Sequence, residues 1–349
     1  MFRDESEFVR WLQTRAPRGE SHLKLGIGDD AALVEVRRGH ELILTTDMSI
    51  EEVHFSPRLH SPRSVGHRAL ARSLSDIAAM GGTPRYALVS LALSRSAKRA
   101  WVNAFYEGLL ALAQAFKVSL IGGDTAAVSG STLIDVLVAG EILRGRALRR
   151  SSARPGELLY VSGRLGWSAL GLRLLESQLR ERASGKVARV RTQGASRMPW
   201  AEPACAPEAI QAHLYPQPQC ALGRYLAARR LATAMIDLSD GLSTDLNRLC
   251  EASGVGARVW PERLPQPCLE DPHDSLQLAL HGGEDYQLLF TVDPQQASRL
   301  PAQFRGIPLH RIGKITRAGK VVLHQATGRE ETLHPRGYDH FREFKKTNS

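Results

Sequence analysis

Acidic residues recur in this sequence where apolar stretches end, and hydroxyl groups or glycines accompany them. The stretches "LILTTD", "VSLIGGD" and "AMIDLSD" end at Asp47, Asp124 and Asp240, respectively. A single Asp at the end of a strand is most often a turn former or a helix N-cap. The recurrence of carboxylate and hydroxyl oxygens instead indicates hard ligands, which suit Mg²⁺ better than zinc. We therefore predict a magnesium site near the ends of these strands.

The stretch "GIGDDAA" places two acids, Asp29 and Asp30, side by side after a glycine. Two such charges repel by roughly 4 kcal/mol at about 4 Å in an effective dielectric near 20, so a nearby cation is expected. Mg²⁺ binds few carboxylates and completes its shell with water and substrate phosphates. Nearby glycines allow backbone N–H groups to face phosphate oxygens. The pattern predicts more than one metal ion around a polyphosphate.

The usual nucleotide-binding motifs are missing from the sequence. No GxxxxGK[ST] stretch occurs, and "GRLGWSALG" lacks the GxGxxG spacing of a dinucleotide site. Kinase signatures of the HRD and DFG type are also missing. If the protein uses ATP, the acidic residues must hold the nucleotide through metal ions.

Composition predicts two domains of ordinary size and narrows the class of protein. The 349 residues are 43% hydrophobic and 23% charged, which is enough to bury sizeable cores. No apolar run approaches the length of a membrane span, and the start does not resemble a signal peptide. The four cysteines lie far apart without a CxxC pair, which favours a reduced cytoplasm over a zinc site or disulfides.

The formal net charge of +10 raises the possibility of nucleic-acid binding. The arginines are scattered, however, except in a basic insertion at 179–203, and no nucleic-acid motif occurs. A basic surface also attracts phosphorylated small molecules. We expect no nucleic-acid partner and no membrane association.

Strand-like apolar runs alternate with helical patterns in both halves of the chain. The first half is predicted to contain strands at 41–47, 85–94, 118–124 and 131–143, and helices at 61–82 and 96–116. A polar, basic stretch at 144–157 then separates it from a second half that starts again with a strand and a helix. We predict an α/β protein of the α+β type, with domains at 1–148 and 149–349. Several strands follow one another without a helix, so both sheets should be mixed.

Seven motifs occur in the order typical of one enzyme family. They are "GIGDDAA", "TTDMSIEEVHF", "SLSDIAAMGG", "LIGGDT", "IDLSDGLSTDL", "HGGEDYQLLFTV" and "GYDHF". From about residue 5 to 341 the sequence resembles the thiamine-monophosphate kinases, which share a superfamily with aminoimidazole ribonucleotide synthetase and selenophosphate synthetase. The resemblance implies a homodimer paired through the N-terminal domains, which also bind ATP and magnesium, and a C-terminal domain that completes the active site.

The resemblance also implies roles for individual residues. Several Mg²⁺ ions would be held by Asp30, Thr45, Thr46, Asp47, Asp76, Asp124, Asp237 and Asp240. ATP would contact Tyr106, the Gly123–Asp124 backbone, Arg150 and Ser239. Thiamine monophosphate would contact His54, Glu284 and Tyr338.

Ordinary structural roles stay open for four of these residues. His54 could be packed at the end of a strand, and Tyr106 lies in an apolar helical pattern that could be core. Arg150 could be a solvated linker residue, and Glu284 could be a turn acid after two glycines.

The implied reaction is direct in-line transfer of the γ-phosphoryl group of ATP to thiamine monophosphate, with no covalent nucleophile on the protein. Three alternatives remain at this point: a related ATP-dependent enzyme acting on another phosphorylated small molecule, a magnesium-dependent phosphohydrolase, and a nucleic-acid-binding protein without enzymatic activity.

Overall fold

The computed structural model describes residues 5–16, 22–28, 31–184, 205–317 and 319–338. These residues form two compact units. The first unit comprises Met1–Ala147 and Leu214–Ala228, and the second comprises Leu148–His213 and Arg229–Ser349. The predicted domain division between residues 148 and 149 stays a prediction.

The first unit is built on a four-stranded mixed sheet. Its elements are α1 (Glu5–Arg15), β1 (Leu23–Leu25), β2 (Leu33–Val34), β3 (His40–Ile50), α2 (Pro62–Ala79), β4 (Thr83–Ser94), α3 (Arg99–Phe116), β5 (Ser119–Val128) and β6 (Leu133–Leu143). The strand order is β3-β6-β4-β5; β4 and β5 run parallel, and the other two pairs are antiparallel. β1 and β2 form a separate two-stranded sheet.

Helix α2, predicted at 61–82, spans Pro62–Ala79 and has a sequence signal at each end. The hydroxyl of the N-cap residue Ser61 accepts a hydrogen bond from the backbone N–H of Ser64, and Pro62 occupies the first turn. The helix ends at Ala79, and Gly81 follows with a φ of 75°, which glycine adopts without strain. Most of its residues are buried, so α2 forms the centre of the unit rather than a surface cover.

The second unit contains a larger mixed sheet. Its elements are β7 (Leu158–Ser162), α4 (Trp167–Ala183), α5 (Ala206–Leu214), α6 (Cys220–Arg229), β8 (Met235–Asp237), α7 (Leu242–Ser253), β9 (Gly256–Val259), α8 (Pro272–His281), β10 (Leu288–Val292), β11 (Gln303–Phe304), β12 (Ile307–Thr316), β13 (Val321–His324) and β14 (Glu330–Thr332). Most of α6 is counted with the first unit. The strand order is β14-β13-β9-β12-β7-β10-β8, and β11 pairs with β12. One contiguous apolar core, which includes Leu159, Ile236 and Ile312, lies against this sheet.

The predicted fold class is confirmed, but two of the predicted strand ends are wrong. β3 continues beyond Asp47 to Ile50, and β5 continues beyond Asp124 to Val128. The reason is pairing: Ile50 still has a partner in β6, and Val128 still has one in β4, so the backbone hydrogen bonds continue past both acids. Asp237, in contrast, ends β8 as expected.

Among the described residues, no helix is both long and apolar enough to cross a membrane. All four cysteines, which lie in described parts of the chain, are free thiols.

Two glycines let α2 and α3 approach each other closely. A methyl group at Gly66 of α2 would lie 1.9 Å from the carbonyl oxygen of Phe105, and one at Gly108 of α3 would lie 1.9 Å from that of Arg63. Both obstacles are backbone atoms, which cannot move aside as a flexible side chain can. This helix pair therefore depends on two positions without a Cβ.

We expect Gly66→Ala to lower the free energy of unfolding by about 2–4 kcal/mol, because the helices must separate to admit the methyl group. Gly130→Ala is the matched control, since a Cβ there meets nothing within 4 Å. Chemical denaturation of both variants measures the difference, and equal stabilities would contradict the close helix contact.

Candidate active site

One group of predicted ligands lies between β3 and α2 in the first unit. The Thr45 hydroxyl of β3 donates a hydrogen bond to the Asp76 carboxylate of α2. Asp47, two residues along the same strand, has its pKa raised to about 6, chiefly by burial and then by the charge of Asp76. The guanidinium of Arg72 lies 3.8 Å from the Asp47 carboxylate and opposes that rise. A negative charge on Asp47 is therefore unfavourable in the metal-free protein.

Thr46 lies on the opposite face of β3 from its neighbours, because side chains alternate along a strand. Its hydroxyl donates a 2.7 Å hydrogen bond to the carboxylate of Asp135 on β6. Sequence reasoning missed Asp135. The available signal was a carboxylate inside the apolar run "LIDVLV", where a solvent-facing strand residue is the ordinary interpretation.

Asp124 lies on the far edge strand of the same sheet. The register aligns Asp135 with Ser90 of β4, and Ser90 with Asp124 of β5. Two strand spacings of about 4.8 Å therefore separate the backbones of Asp135 and Asp124. Gly123 has a φ of 151°, and a Cβ there would lie 2.0 Å from the Val89 carbonyl oxygen, so only glycine fits beside Asp124.

Within the described part of the chain, no three carboxylate, imidazole or thiol side chains lie close enough together to hold a metal ion. Asp30 lies outside the described residues. Pairs of oxygen donors such as Thr45 with Asp76 still fit Mg²⁺, which typically uses one or two carboxylates together with water and substrate phosphates. The donors present suit this metal, and its remaining ligands would come from the substrates.

A second group of predicted residues forms around one turn in the second unit. Asp237 ends β8, and Ser239 and Asp240 follow before α7 begins at Leu242. The backbone N–H of Glu284 donates a 2.8 Å hydrogen bond to the carbonyl oxygen of Ser239. The "GGED" and "IDLSDG" motifs are thereby brought together.

Glycines allow this approach. A Cβ at Gly283 would lie 2.7 Å from the Ser239 carbonyl oxygen, and one at Gly337 would lie 1.8 Å from the Asp240 carbonyl oxygen. Gly337 also donates its N–H to the Thr244 hydroxyl. Tyr338 therefore follows directly after a contact with the same turn, and its side chain is 49% exposed.

An arginine neutralises the acids of this turn. The Arg248 guanidinium donates to the carboxylates of both Asp240 and Asp245. Asp245 is buried, and its pKa is raised to about 7, first by burial and next by the charge of Asp240. Sequence reasoning did not single out Asp245 or Arg248; the only signal was their spacing on one face of α7 after the "DLSDG" motif.

Two other residues that were predicted to contact the substrates, His54 and Tyr106, lie in different surroundings. Nδ1 of His54 accepts a 3.1 Å hydrogen bond from the Ile50 N–H, and His54 lines a small pocket with Arg68 and Arg72. Tyr106 is buried in an aromatic cluster with Phe8, Trp11 and Phe105, and burial raises the pKa of its hydroxyl.

Arg150 begins a 3₁₀ turn of the second unit and is exposed. Its carbonyl oxygen accepts a hydrogen bond from the Ser253 hydroxyl at the end of α7. The turn is therefore anchored through its backbone. The ATP contacts expected of Tyr106 and Arg150 stay predictions.

Known proteins resemble this chain over almost its whole length. The family model described as AIR synthase related protein, N-terminal domain, matches residues 28–142, and its C-terminal counterpart matches residues 154–325. Thiamine-monophosphate kinase from Bacillus subtilis (strain 168) is 34% identical over 97% of this chain and 100% of its own length.

Two solved structures extend the comparison. That of thiamine-monophosphate kinase from Stenotrophomonas maltophilia K279a has a TM-score of 0.75 at 33% identity, covering 93% of this chain and 96% of that one. "AaThiL complexed with AMPPCP and TMP" has a TM-score of 0.70 at 29% identity and covers 97% of both chains.

The raised pKa of Asp47 predicts how pH affects the stability of the metal-free protein. The folded protein keeps this proton up to about pH 6, whereas an unperturbed Asp has a pKa of 3.8. Below pH 4 both states hold the proton; as pH rises from 4 through 6, the unfolded state releases it first, and stability falls. Asp47→Asn, which cannot ionise, should therefore be about 1–2 kcal/mol more stable than wild type at pH 8 in EDTA, and equally stable near pH 4.

Denaturation at the two pH values measures this difference. Asp124→Asn is the matched control, because Asp124 is exposed and its replacement should change stability little. A stability gain for Asp47→Asn that does not depend on pH would contradict the assignment to its ionisation.

Proposed function

This chain belongs to the thiamine-monophosphate kinase family, and from that premise we propose how its own residues carry out the reaction. The protein transfers a phosphoryl group from ATP to thiamine monophosphate. One observation supports this assignment of roles: three motifs that are far apart in the sequence contact the same turn, which contains Asp240. These motifs contain Ser239, Glu284 and Tyr338, which we assign to substrate binding.

Magnesium is proposed to be held by two sets of oxygen ligands. The first unit supplies Thr45, Asp47 and Asp76 between β3 and α2, Thr46 on the opposite face of β3, and Asp124 on β5. The second unit supplies Asp237 and Asp240, and Asp30 lies outside the described residues. When bound, Mg²⁺ would neutralise phosphate charge and align the reacting oxygens. The pKa of Asp47, raised first by burial and then by the charge of Asp76, supports this, because a cation would offset both effects. A bound cation would oppose the rise in the pKa of Asp47.

The nucleotide is proposed to contact Tyr106, the Gly123–Asp124 backbone, Arg150 and Ser239, and thiamine monophosphate to contact His54, Glu284 and Tyr338. The φ of Gly123 supports a backbone role there, since a side chain is excluded and ligand atoms could approach the main chain. Tyr338 offers an exposed aromatic ring for stacking on the substrate.

We propose direct in-line transfer without a phosphorylated protein. The second pKa of a phosphate monoester is about 6, so the acceptor is already largely ionised near pH 7 and needs no strong general base. Charge neutralisation and alignment then supply most of the rate enhancement. A carboxylate engaged by metal is a poor nucleophile, and a covalent relay would add a step that the chemistry does not need.

A homodimer paired through the first unit is also proposed. The β3 face that carries Thr46 leaves Leu42, Leu44 and Met48 exposed by 44%, 61% and 47%. A row of large apolar side chains on a sheet face is typical of a protein–protein interface. A cytoplasmic location, and the absence of nucleic-acid and membrane partners, stay predictions.

The reaction is tested by following ADP and thiamine diphosphate while thiamine monophosphate is supplied or withheld. We expect ADP formation to depend on the acceptor and to match thiamine diphosphate mole for mole. ADP formation in excess of product would instead indicate a phosphohydrolase, and turnover only with another acceptor would indicate a different superfamily activity.

Glu284→Ala should raise the KM for thiamine monophosphate by about tenfold or more and change the KM for ATP less than twofold, because only acceptor binding loses a contact. Asp274→Ala, which removes an exposed acid of the same unit paired with Arg173, is the control. Equal increases in both KM values would mean that Glu284 supports the fold or the metal ligands instead.

Leu44→Asp should convert the dimer to a monomer at micromolar concentration, because a charge on the apolar face of β3 would be buried without a partner. Light scattering measures the mass. Val53→Asp, at another exposed apolar position in the turn after β3, is the matched control and should remain dimeric. A monomeric wild-type protein would contradict the proposed assembly.

A further inference from the structure

We propose that His213 is a positioning residue that fixes the carboxylate of Glu284 for acceptor binding. This inference rests on the proposed role of Glu284. His213 lies at the end of α5, far from Glu284 in sequence, and no motif of the family resemblance includes it.

Four residues form a closed ring of contacts in the second unit. Asp285, the residue after Glu284, accepts hydrogen bonds from the backbone N–H groups of Gly166 at 2.6 Å and Ser168 at 3.0 Å. The Ser168 hydroxyl lies 3.0 Å from Nδ1 of His213. The same Nδ1 lies 3.8 Å from the carboxylate of Glu284, which completes the ring.

The ring is buried except at Glu284. Ser168 and His213 are each 1% exposed, while the Glu284 side chain is 27% exposed. Burial raises the pKa of Asp285 to about 7, although three backbone N–H groups of α4 oppose that rise. Only Glu284 can therefore reach a ligand, and the other three residues can act only through it.

The neutral tautomer of His213 with its proton on Nδ1 suits this role. A proton on Nδ1 can be donated to the Ser168 hydroxyl oxygen and also faces the Glu284 carboxylate, whereas a bare Nδ1 would present a lone pair to that negative charge. The Nδ1–H arrangement satisfies both neighbours. His213 then attracts the carboxylate toward one orientation.

The backbone around Glu284 is also held in one conformation. Glu284 has a φ of 64° and Tyr286 a φ of 49°, values that non-glycine residues adopt only when their surroundings hold them. The N–H of Glu284 is bonded to Ser239 and that of Tyr286 to Leu238. The main chain is thus fixed by the two residues that follow β8, and the side chain by His213.

Close packing of α4 and α5 holds His213 in place. A Cβ at Gly171 of α4 would lie 2.1 Å from the Ala209 carbonyl oxygen of α5 and 2.9 Å from the His213 Cβ. Leu170, Leu174 and Ala209 form a small apolar core with Leu278. A carboxylate held in advance loses less conformational entropy when the acceptor binds.

The test is a double-mutant cycle between His213 and Glu284. His213→Phe keeps a ring but removes Nδ1, and it should raise the KM for thiamine monophosphate about fivefold or more while kcat and the KM for ATP stay within about twofold. His213→Asn places an amide N–H near the position of Nδ1 and should restore most of the loss. In the Glu284→Gln background, His213→Phe should change the same KM less than about twofold.

Two further variants distinguish a selective effect on acceptor binding from a general loss of structure. Ser168→Ala removes the hydroxyl but leaves the backbone N–H bond to Asp285, and it should produce a smaller rise in the same KM. Leu174→Ala loosens the α4–α5 core without touching the ring, and it should lower thermal stability with no selective change in the KM for thiamine monophosphate.

The outcomes distinguish the proposed role of Glu284 from the proposed role of His213. If Glu284→Ala leaves acceptor binding intact, the proposed role of Glu284 fails. If Glu284→Ala weakens acceptor binding while His213→Phe does not, or if His213→Phe acts equally in both backgrounds, the role of Glu284 stands and the positioning role of His213 is overturned.

Discussion

The need to compensate closely spaced carboxylates governs the arrangement of both candidate groups. In the first unit, the charge of Asp76 on α2 acts on Asp47 of β3, and the Arg72 guanidinium lies 3.8 Å from the Asp47 carboxylate. In the second unit, Arg248 lies directly on Asp240 and Asp245. A repulsive acid pair near a surface costs a few kcal/mol, on the order of 4 at close range. The metal-free fold offsets this cost with guanidinium groups and retained protons, both of which a divalent cation can replace.

Rigid elements hold these acids at positions that lower the stability of the metal-free protein. Asp47 lies in the interior of a paired strand, and Asp245 in the first turn of a buried helix face. Neither can turn away into solvent without breaking backbone hydrogen bonds or core packing. Binding sites commonly retain such local strain, and the surrounding core supplies the stability that supports it.

Sequence reasoning found the elements and motifs but not the contacts between distant residues. The helix at α2 was predictable because its proline, N-cap serine and following glycine are local signals. The true end of β3 was not predictable, because Met48, Ser49 and Ile50 pair with residues of β6 that lie about 85 positions further along the chain. Asp135 and His213 were missed for the same reason: each gains its importance from a partner on another element, which one sequence does not reveal.

The segment Leu214–Ala228 belongs to the first unit although about a third of the second unit, Leu148–His213, precedes it in the chain. It is packed there closely: a Cβ at Gly223 would lie 2.1 Å from the Ala78 carbonyl oxygen, and the Cys220 thiol donates to the Leu74 carbonyl oxygen. During synthesis, the first unit must therefore wait for about eighty residues after Ala147 before its last helix emerges. At the ribosome's rate of roughly 5–20 residues per second, this delay lasts on the order of 4–16 seconds. Through that interval the part of α2 that later contacts Gly223 and Cys220 remains uncovered in the nascent chain.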